Sequence, residues 1–343
     1  MFAKKLKTMK RITEDELMIV GKNGDMRQKC SVIAFREQLV GDFSEIQFNQ
    51  NGWLIIDFKD RALYKSDYYF TVNVDKPSNT LEDGTKKDNI FDYVKNTGKP
   101  YMVCELSAFR QNSYKDQDPD NWYFTLGWFH FLRQGYFYNN NCPNDRWTKI
   151  KKQQDLKVDR WLVETRPKDY ALICLQKVND STMTPLHEVH GKYKNWLLLV
   201  CNQIRNTYPK LPIVVRPHLR TKEVNYEGVV TPMHKCTISE TWEDRTYFEG
   251  GDGLHEDFKG ARFVVAYNSN VLTQSSLRGI PSICWDIRSA AAPGCLDPSQ
   301  IGNLEAVHEI DRDTWLNNLS YTQWSRAEIR DGRAWTHLKK YGF

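Results

Sequence analysis

The segment from Phe263 to Trp285 holds the residue pattern with the clearest chemistry. An apolar run ends at Tyr267 and gives way to the polar triplet Asn268-Ser269-Asn270. A short helical stretch with Thr273 and Gln274 follows, then the break Arg278-Gly279-Ile280-Pro281 and a second apolar run. Asn and Ser are the residues that cap helix N-termini with their own oxygens. A helix that starts just past the carboxyl end of a strand offers free N–H groups and the positive end of its dipole, which suit a phosphate. The spacing therefore predicts a phosphorylated ligand at this turn. Two more strand-like runs end in polar groups: one in Gln176, the other in Arg216-Pro217-His218-Leu219-Arg220. Arginine presents a planar fork of donors to phosphate. Taken alone, such a cluster serves equally well as a surface salt-bridge group. Three polar strand ends on one sheet edge point instead to one ligand cleft.

The first half offers candidates for proton transfer. Glu105 closes an apolar run and could act as a general base, or could be a structural carboxylate paired with Arg110 or a backbone group. Asp116, Asp118 and Asp120 follow in a polar stretch; most should be solvated, and one, with Asp118 preferred, could be the base instead. The aromatic run Trp122, Tyr123, Phe124, Trp128, Phe129, Phe131, Tyr136, Phe137 and Tyr138 is interleaved with His130, Arg133 and Arg146. Such a surface stacks bases or sugars, or the rings fill a small core beneath a long loop. Neither a Gly-x-x-x-x-Gly-Lys-Ser/Thr loop nor a Gly-x-Gly-x-x-Gly turn is present, which argues against a P-loop kinase and a dehydrogenase. Gly-x-Ser-x-Gly is absent too. His187 and His190 lack nearby metal-type partners, so no metal site is expected.

These residues must be placed by regular elements, and the second half supplies them. Strand-like runs at 169–176, 212–218, 263–267 and 282–285 alternate with helical patterns at 190–208, 254–260 and from Asn270; residues 228–232 suggest one more strand. This alternation predicts a parallel sheet covered on both faces, with ligands beyond the carboxyl ends of its strands. The first half reads as strands at 53–57, 68–73 and 100–105 with a helix at 89–95. Residues 111–150 read as a large loop or a set of small elements, and 145–168 as a basic link. Ser325 and Glu328 have capping-box spacing, opening a helix through Leu338.

With 343 residues the chain exceeds what one core usually serves, so two domains are expected. The boundaries read as 1–160, 161–322 and a terminal helix at 323–343. The net charge of +5 permits a polyanionic partner without demanding one. The 8 cysteines contain no Cys-x-x-Cys pair, a reduced cytoplasmic pattern. No apolar run reaches the ~20 residues of a membrane span, and the basic start lacks the apolar block of a signal peptide.

Leu175-Gln176 with Asp180-Ser181, Val215-Arg216-Pro217-His218, the Asn268-Ser269 turn and Arg278-Gly279-Ile280-Pro281 resemble the donor-binding domain of GT-B glycosyltransferases, in particular capsular-polysaccharide sugar transferases. Glu328 through Trp335 resembles that branch's terminal helix. The resemblance covers roughly 169–340. In size, plan and basic charge the chain is also similar to phage enzymes that glycosylate hydroxymethylated pyrimidines in DNA. The resemblance implies an α/β fold of two Rossmann-type domains with parallel sheets facing an interdomain cleft, and a last helix crossing back to the first domain. It implies a hexosyl- or pentosyltransferase whose donor is a nucleotide-sugar, expected to be a UDP-sugar, with no other cofactor and no metal. Gln176, Arg216, His218, Arg220, Asn268, Ser269, Asn270, Thr273 and Gln274 would hold that donor. Glu105 or Asp118 would take the acceptor proton. The expected acceptor is hydroxymethylcytosine in double-stranded phage DNA, contacted by Arg110, Trp122, Trp128, Arg133, Arg146, Lys151 and Lys152. The alternatives are a capsule or saccharide acceptor, or a nucleotide- or nucleic-acid-binding module without catalysis. A monomer in the host cytoplasm is expected.

Overall fold

The computed structural model describes residues 32–35, 53–56, 68–72, 90–109, 118–128, 140–163, 170–177, 181–190, 193–218, 236–241 and 253–341. Asp116, Arg110, Arg133, Arg220 and the expected strand at 228–232 lie outside them. In chain order the strands are β1 (Val32–Phe35), β2 (Trp53–Ile56), β3 (Tyr68–Val72), β4 (Tyr101–Leu106), β5 (Tyr123–Trp128), β6 (Tyr170–Cys174), β7 (Ile213–Arg216), β8 (Cys236–Ile238), β9 (Ala261–Ala266), β10 (Ser282–Cys284) and β11 (Gln323–Ser325). The α-helices are α1 (Ile90–Asn96), α2 (Asp145–Gln153), α3 (Thr184–His190), α4 (Tyr193–Thr207), α5 (Gly253–Gly260), α6 (Val271–Leu277), α7 (Arg312–Ser320), α8 (Arg326–Arg330) and α9 (Arg333–Tyr341). No helix among the described residues is long and apolar enough to cross a membrane.

The chain divides into two units. One comprises Met1–Leu106, Asp118–Tyr138 and Thr322–Phe343, the other Ser107–Gln117 and Asn139–Tyr321. The second unit holds a five-stranded sheet in the order β10-β9-β6-β7-β8. Every neighbouring pair in it is parallel. Strands buried on both faces explain the near-continuous apolar runs in the sequence. On β6 and β9, Ala171, Ile173, Phe263 and Val265 point to the face covered by Trp196, Leu197, Val200 and Ile204 of α4. Leu172, Cys174, Val264 and Ala266 point to the other, against Phe258 of α5 and Val271 and Leu272 of α6. The order of strands reverses between β6 and β9, which makes their carboxyl ends the switch point where doubly wound sheets receive ligands. This is a Rossmann-like unit.

The first unit departs from the expected parallel sheet. Its six strands run in the order β11-β5-β4-β3-β1-β2. β2, β1, β3 and β4 are parallel, but β5 is antiparallel to β4 and β11 to β5, so the sheet is mixed. Leu106 at the end of β4 lies opposite Phe124 near the start of β5. The connection therefore returns at the same end of the sheet, which forces the antiparallel pairing.

Residues 111–150, expected as a large loop or a set of small elements, contain β5 and most of α2. All six residues of β5 are buried. The α2 segment belongs with the second unit, ahead of the boundary expected near 160. The terminal capping box forms: Ser325 Oγ accepts the Glu328 N–H at 3.3 Å and Glu328 Oε2 accepts the Ser325 N–H at 3.0 Å. The single helix expected to follow is interrupted after Arg330, because Gly332 takes φ +82.

Gly279 ends α6 at φ +68, and a β-carbon there would overlap the Arg160 carbonyl oxygen. Leu162 N–H donates to the Gly279 carbonyl at 2.8 Å, so residues 159–162 are laid directly along this turn. Gly279→Ala is expected to cost about 2–3 kcal/mol through strain and displaced backbone. Urea unfolding checks this; an unchanged midpoint would show that the turn tolerates a side chain.

Candidate functional site

Three strand ends meet at the carboxyl edge of the second sheet. β6 runs out into Leu175-Gln176, β9 into Tyr267-Asn268, and β10 into Trp285-Asp286. Gln176 and Asn268 clasp each other: Gln176 Nε2 donates to Asn268 Oδ1 at 2.7 Å, and the Asn268 N–H donates to Gln176 Oε1 at 3.0 Å. The Gln176 N–H donates to the Tyr193 hydroxyl of α4 at 2.9 Å. Asn268 Nδ2 donates to the Thr182 carbonyl at 2.8 Å and to Asp286 Oδ2 at 3.2 Å. The Ser289 hydroxyl donates to the Asn268 carbonyl.

Asp286 carries the network to the surface. Its buried carboxylate accepts the Arg288 N–H at 3.0 Å, Nε at 2.9 Å and Nη2 at 3.1 Å. The Arg288 side chain is 41% exposed against 4% for Asp286. The hydrogen bond to Asp286 holds the Arg288 guanidinium above its ordinary pKa, and the fields of Tyr267 and Glu188 act in the same direction. Burial first, then the Asp286 carboxylate, pushes the Tyr267 phenol up to about 12. Tyr267 stacks edge-on with His190, whose pKa burial lowers. The arrangement sets a permanently charged, bidentate-anchored guanidinium at the rim of the switch point. Neither Asp286 nor Arg288 stood out in the sequence; the signal was their place just after an apolar strand.

The other expected donor residues divide. Asn268 is buried and, like Gln176, spends its amide inside the protein, so both act through the shape of the edge. Ser269 and Asn270 lie partly exposed at the turn. The Asn270 side chain makes no capping bond. Ser269 Oγ accepts the Val271 N–H at 3.3 Å and its carbonyl accepts the Leu272 N–H at 3.0 Å. The turn therefore satisfies much of its own donor set, and α6 is only 7 residues long. A helix-dipole phosphate site, the sequence expectation, is thus weakened, and cationic side chains must supply the attraction. Thr273 is fully buried and its hydroxyl finds no hydrogen-bond partner among the described residues, which removes it from ligand contact. Gln274 and His218 are partly exposed.

Arg216 has a different role from the one its position suggested. Its Nη1 lies 2.5 Å from Asp257 Oδ2 and 2.9 Å from the Thr241 hydroxyl, and the group is buried. Ser239 Oγ also donates to Asp257, at 2.7 Å. The guanidinium ties β7 to α5 and to the residues after β8 instead of facing solvent.

In the first unit, Glu105 is partly exposed near the carboxyl end of β4, where its carboxylate accepts the Leu106 N–H at 3.4 Å. Asp118 caps the turn Pro119–Asn121 by accepting the Asp120 N–H at 3.0 Å. Trp128 is 2% exposed and its indole donates to the Leu338 carbonyl of α9 at 2.8 Å, so it is core and not a stacking surface. Trp122 is partly exposed. On α2 of the second unit, Arg146 Nε donates to the Ser320 carbonyl at 3.2 Å, while Lys151 and Lys152 are exposed beside a cavity of about 620 Å³.

No protein-family model matches the chain, and no curated protein does. Among solved structures it is similar to the beta Kdo 2,4 transferase of Thermosulfurimonas dismutans KpsC, at 9% identity and a TM-score of 0.46, over 86% of this chain and 92% of that one. It is also similar to the beta Kdo 2,7 transferase of the same organism's KpsC, at 11% identity and a TM-score of 0.39, over 90% and 99%.

Removing one partner of a buried ion pair strands the other charge. Asp257→Ala is expected to lower unfolding stability by roughly 3–5 kcal/mol, and Asp257→Leu with Arg216→Met to recover most of it. Denaturant unfolding of the three proteins checks this. A single variant as stable as wild type would mean Arg216 is not committed to Asp257.

Proposed function

We propose that the chain is a glycosyltransferase that takes its sugar from a nucleotide-activated donor, with a UDP-sugar as the expected form, bound at the carboxyl edge of the five-stranded sheet. The observation that carries this reading is the Gln176–Asn268–Asp286–Arg288 chain of hydrogen bonds at the switch point. It fixes one exposed guanidinium where a phosphate group would lie in a doubly wound unit. Arg288, with His218 past the end of β7 and Ser269, Asn270 and Gln274 at the turn, binds the donor diphosphate. Gln176 and Asn268 set the position of that turn.

In the reaction an acceptor hydroxyl oxygen bonds to the anomeric carbon and the bond from that carbon to the phosphate oxygen breaks. The electron pair leaves on the diphosphate, whose growing charge Arg288 offsets. The acceptor proton passes to a carboxylate, for which Glu105 is the candidate, at the carboxyl end of its strand and partly open to solvent.

The acceptor in this reading is a saccharide hydroxyl. Trp128 sits in the core and Arg146 is held by Ser320, which takes away two of the groups that would have stacked on or gripped an extruded base. Lys151 and Lys152, exposed on one helix, favour duplex DNA as the second reading.

The full chain is incubated with a panel of uridine, cytidine and guanosine nucleotide-sugars, with oligosaccharide acceptors in one arm and hydroxymethylcytosine DNA in the other. Nucleotide release with a mass gain on the oligosaccharide is expected. A gain on the DNA nucleoside would move the acceptor to the second reading, and no release from any donor would contradict transfer itself. Arg288→Ala is expected to lower turnover by ~10²–10³, and Glu105→Gln by ~10²–10⁴ with donor affinity kept.

A further inference from the structure

Cys201 lies in the buried face of α4 and Cys236 opens β8, the edge strand of the five-stranded sheet. Their sulfurs stand 3.7 Å apart although the residues are 35 apart in sequence. A disulfide needs them at ~2.05 Å, so no large rearrangement separates the two states. The pair is unequal. Cys201 is fully buried, while Cys236 is partly exposed. Arg205 lies one helical turn beyond Cys201, and its guanidinium donates to the Leu211 carbonyl.

We propose that Cys201 and Cys236 form a redox modification site, in which a small disulfide such as oxidised glutathione converts the two thiols into one intramolecular disulfide. Cys236 is the attacking thiol. The hydrogen bond with Cys201 pulls its pKa down and Arg205 adds to the effect, while the same hydrogen bond and burial push Cys201 up. The thiolate is the form that attacks a disulfide. The other described cysteines are poorer nucleophiles. Burial pushes Cys174 and Cys284 up to about 12 and Cys142 up to about 11, and holds Cys104 and Cys295 well above the ordinary thiol value.

The Cys236 sulfur bonds to one glutathione sulfur, the glutathione S–S bond breaks, and the first glutathione thiolate leaves with the electron pair. Cys201 then gives up its proton and its sulfur attacks Cys236 Sγ, expelling the second glutathione thiolate. The protein dithiol loses two electrons and two protons, and one glutathione disulfide becomes two thiols. The new bond pins β8 to α4. Ser239 and Thr241, which follow β8 directly, hold the Arg216–Asp257 pair. The modification thus stiffens the edge of the sheet that carries the buried ion pair.

The test is to expose the folded full chain to oxidised glutathione, block free thiols, and map peptides by mass spectrometry without reduction. A Cys201–Cys236 cross-linked peptide is expected, with the intact protein lighter by two hydrogen atoms and resistant to urea at concentrations that unfold the reduced form. Cys201→Ser is expected to trap glutathione on Cys236, and Cys236→Ser to take up none at Cys201. If both cysteines of wild type remain blockable, or if a different pair cross-links, the proposal fails. The peptide map of wild type decides this without either variant and without any transferase assay.

Discussion

Asn268 ties three strands together from inside the protein, and the shape of the carboxyl edge depends on it. Its backbone N–H and side-chain oxygen are matched by the two ends of one glutamine amide, Gln176. Its amide nitrogen is divided between the Thr182 carbonyl and Asp286. A buried polar network of this kind holds its geometry when every member is satisfied and becomes costly when one is not. Gln176, Thr182, Asn268 and Asp286, which follow β6, β9 and β10, are therefore joined in one network. Asp286 is the link between that network and solvent, because the carboxylate that accepts from Asn268 also grips Arg288 with two parallel bonds.

The buried pair of Arg216 and Asp257 shows why a basic residue at a strand end is an ambiguous signal. Both partners are removed from water, and their attraction is backed by Ser239 and Thr241, so the charge is compensated internally. Arg288 also pairs with a buried aspartate, but its own side chain remains substantially exposed. The difference between a structural arginine and one able to meet a phosphate is thus decided by a carboxylate 41 residues away in one case and two residues away in the other.

Much of the second unit was legible from the sequence. The apolar runs that became β6, β7, β9 and β10 are buried on both faces, and the spacing of Trp196, Leu197, Val200 and Ile204 marked α4. The Asn268 turn was also found, although its interior role was not. The losses have physical causes. β5 is a run of aromatics and Leu126 broken by Thr125 and Gly127, and its burial comes from neighbours distant in sequence, β11 and α9. β11 has three residues and exists only because β5 offers an edge to pair with. Arg288 carried no motif, since its position is set by a side chain two residues earlier that itself answers to Asn268.

The place where a nucleoside diphosphate binds decides whether Arg288 serves the donor. The most direct measurement is a crystal structure of the chain soaked with uridine diphosphate. Diphosphate oxygens at hydrogen-bond distance, about 2.7–3.2 Å, from the Arg288 guanidinium and beside the Ser269-Asn270 turn are the expected result. Nucleotide held elsewhere, with Arg288 facing open solvent, would contradict it.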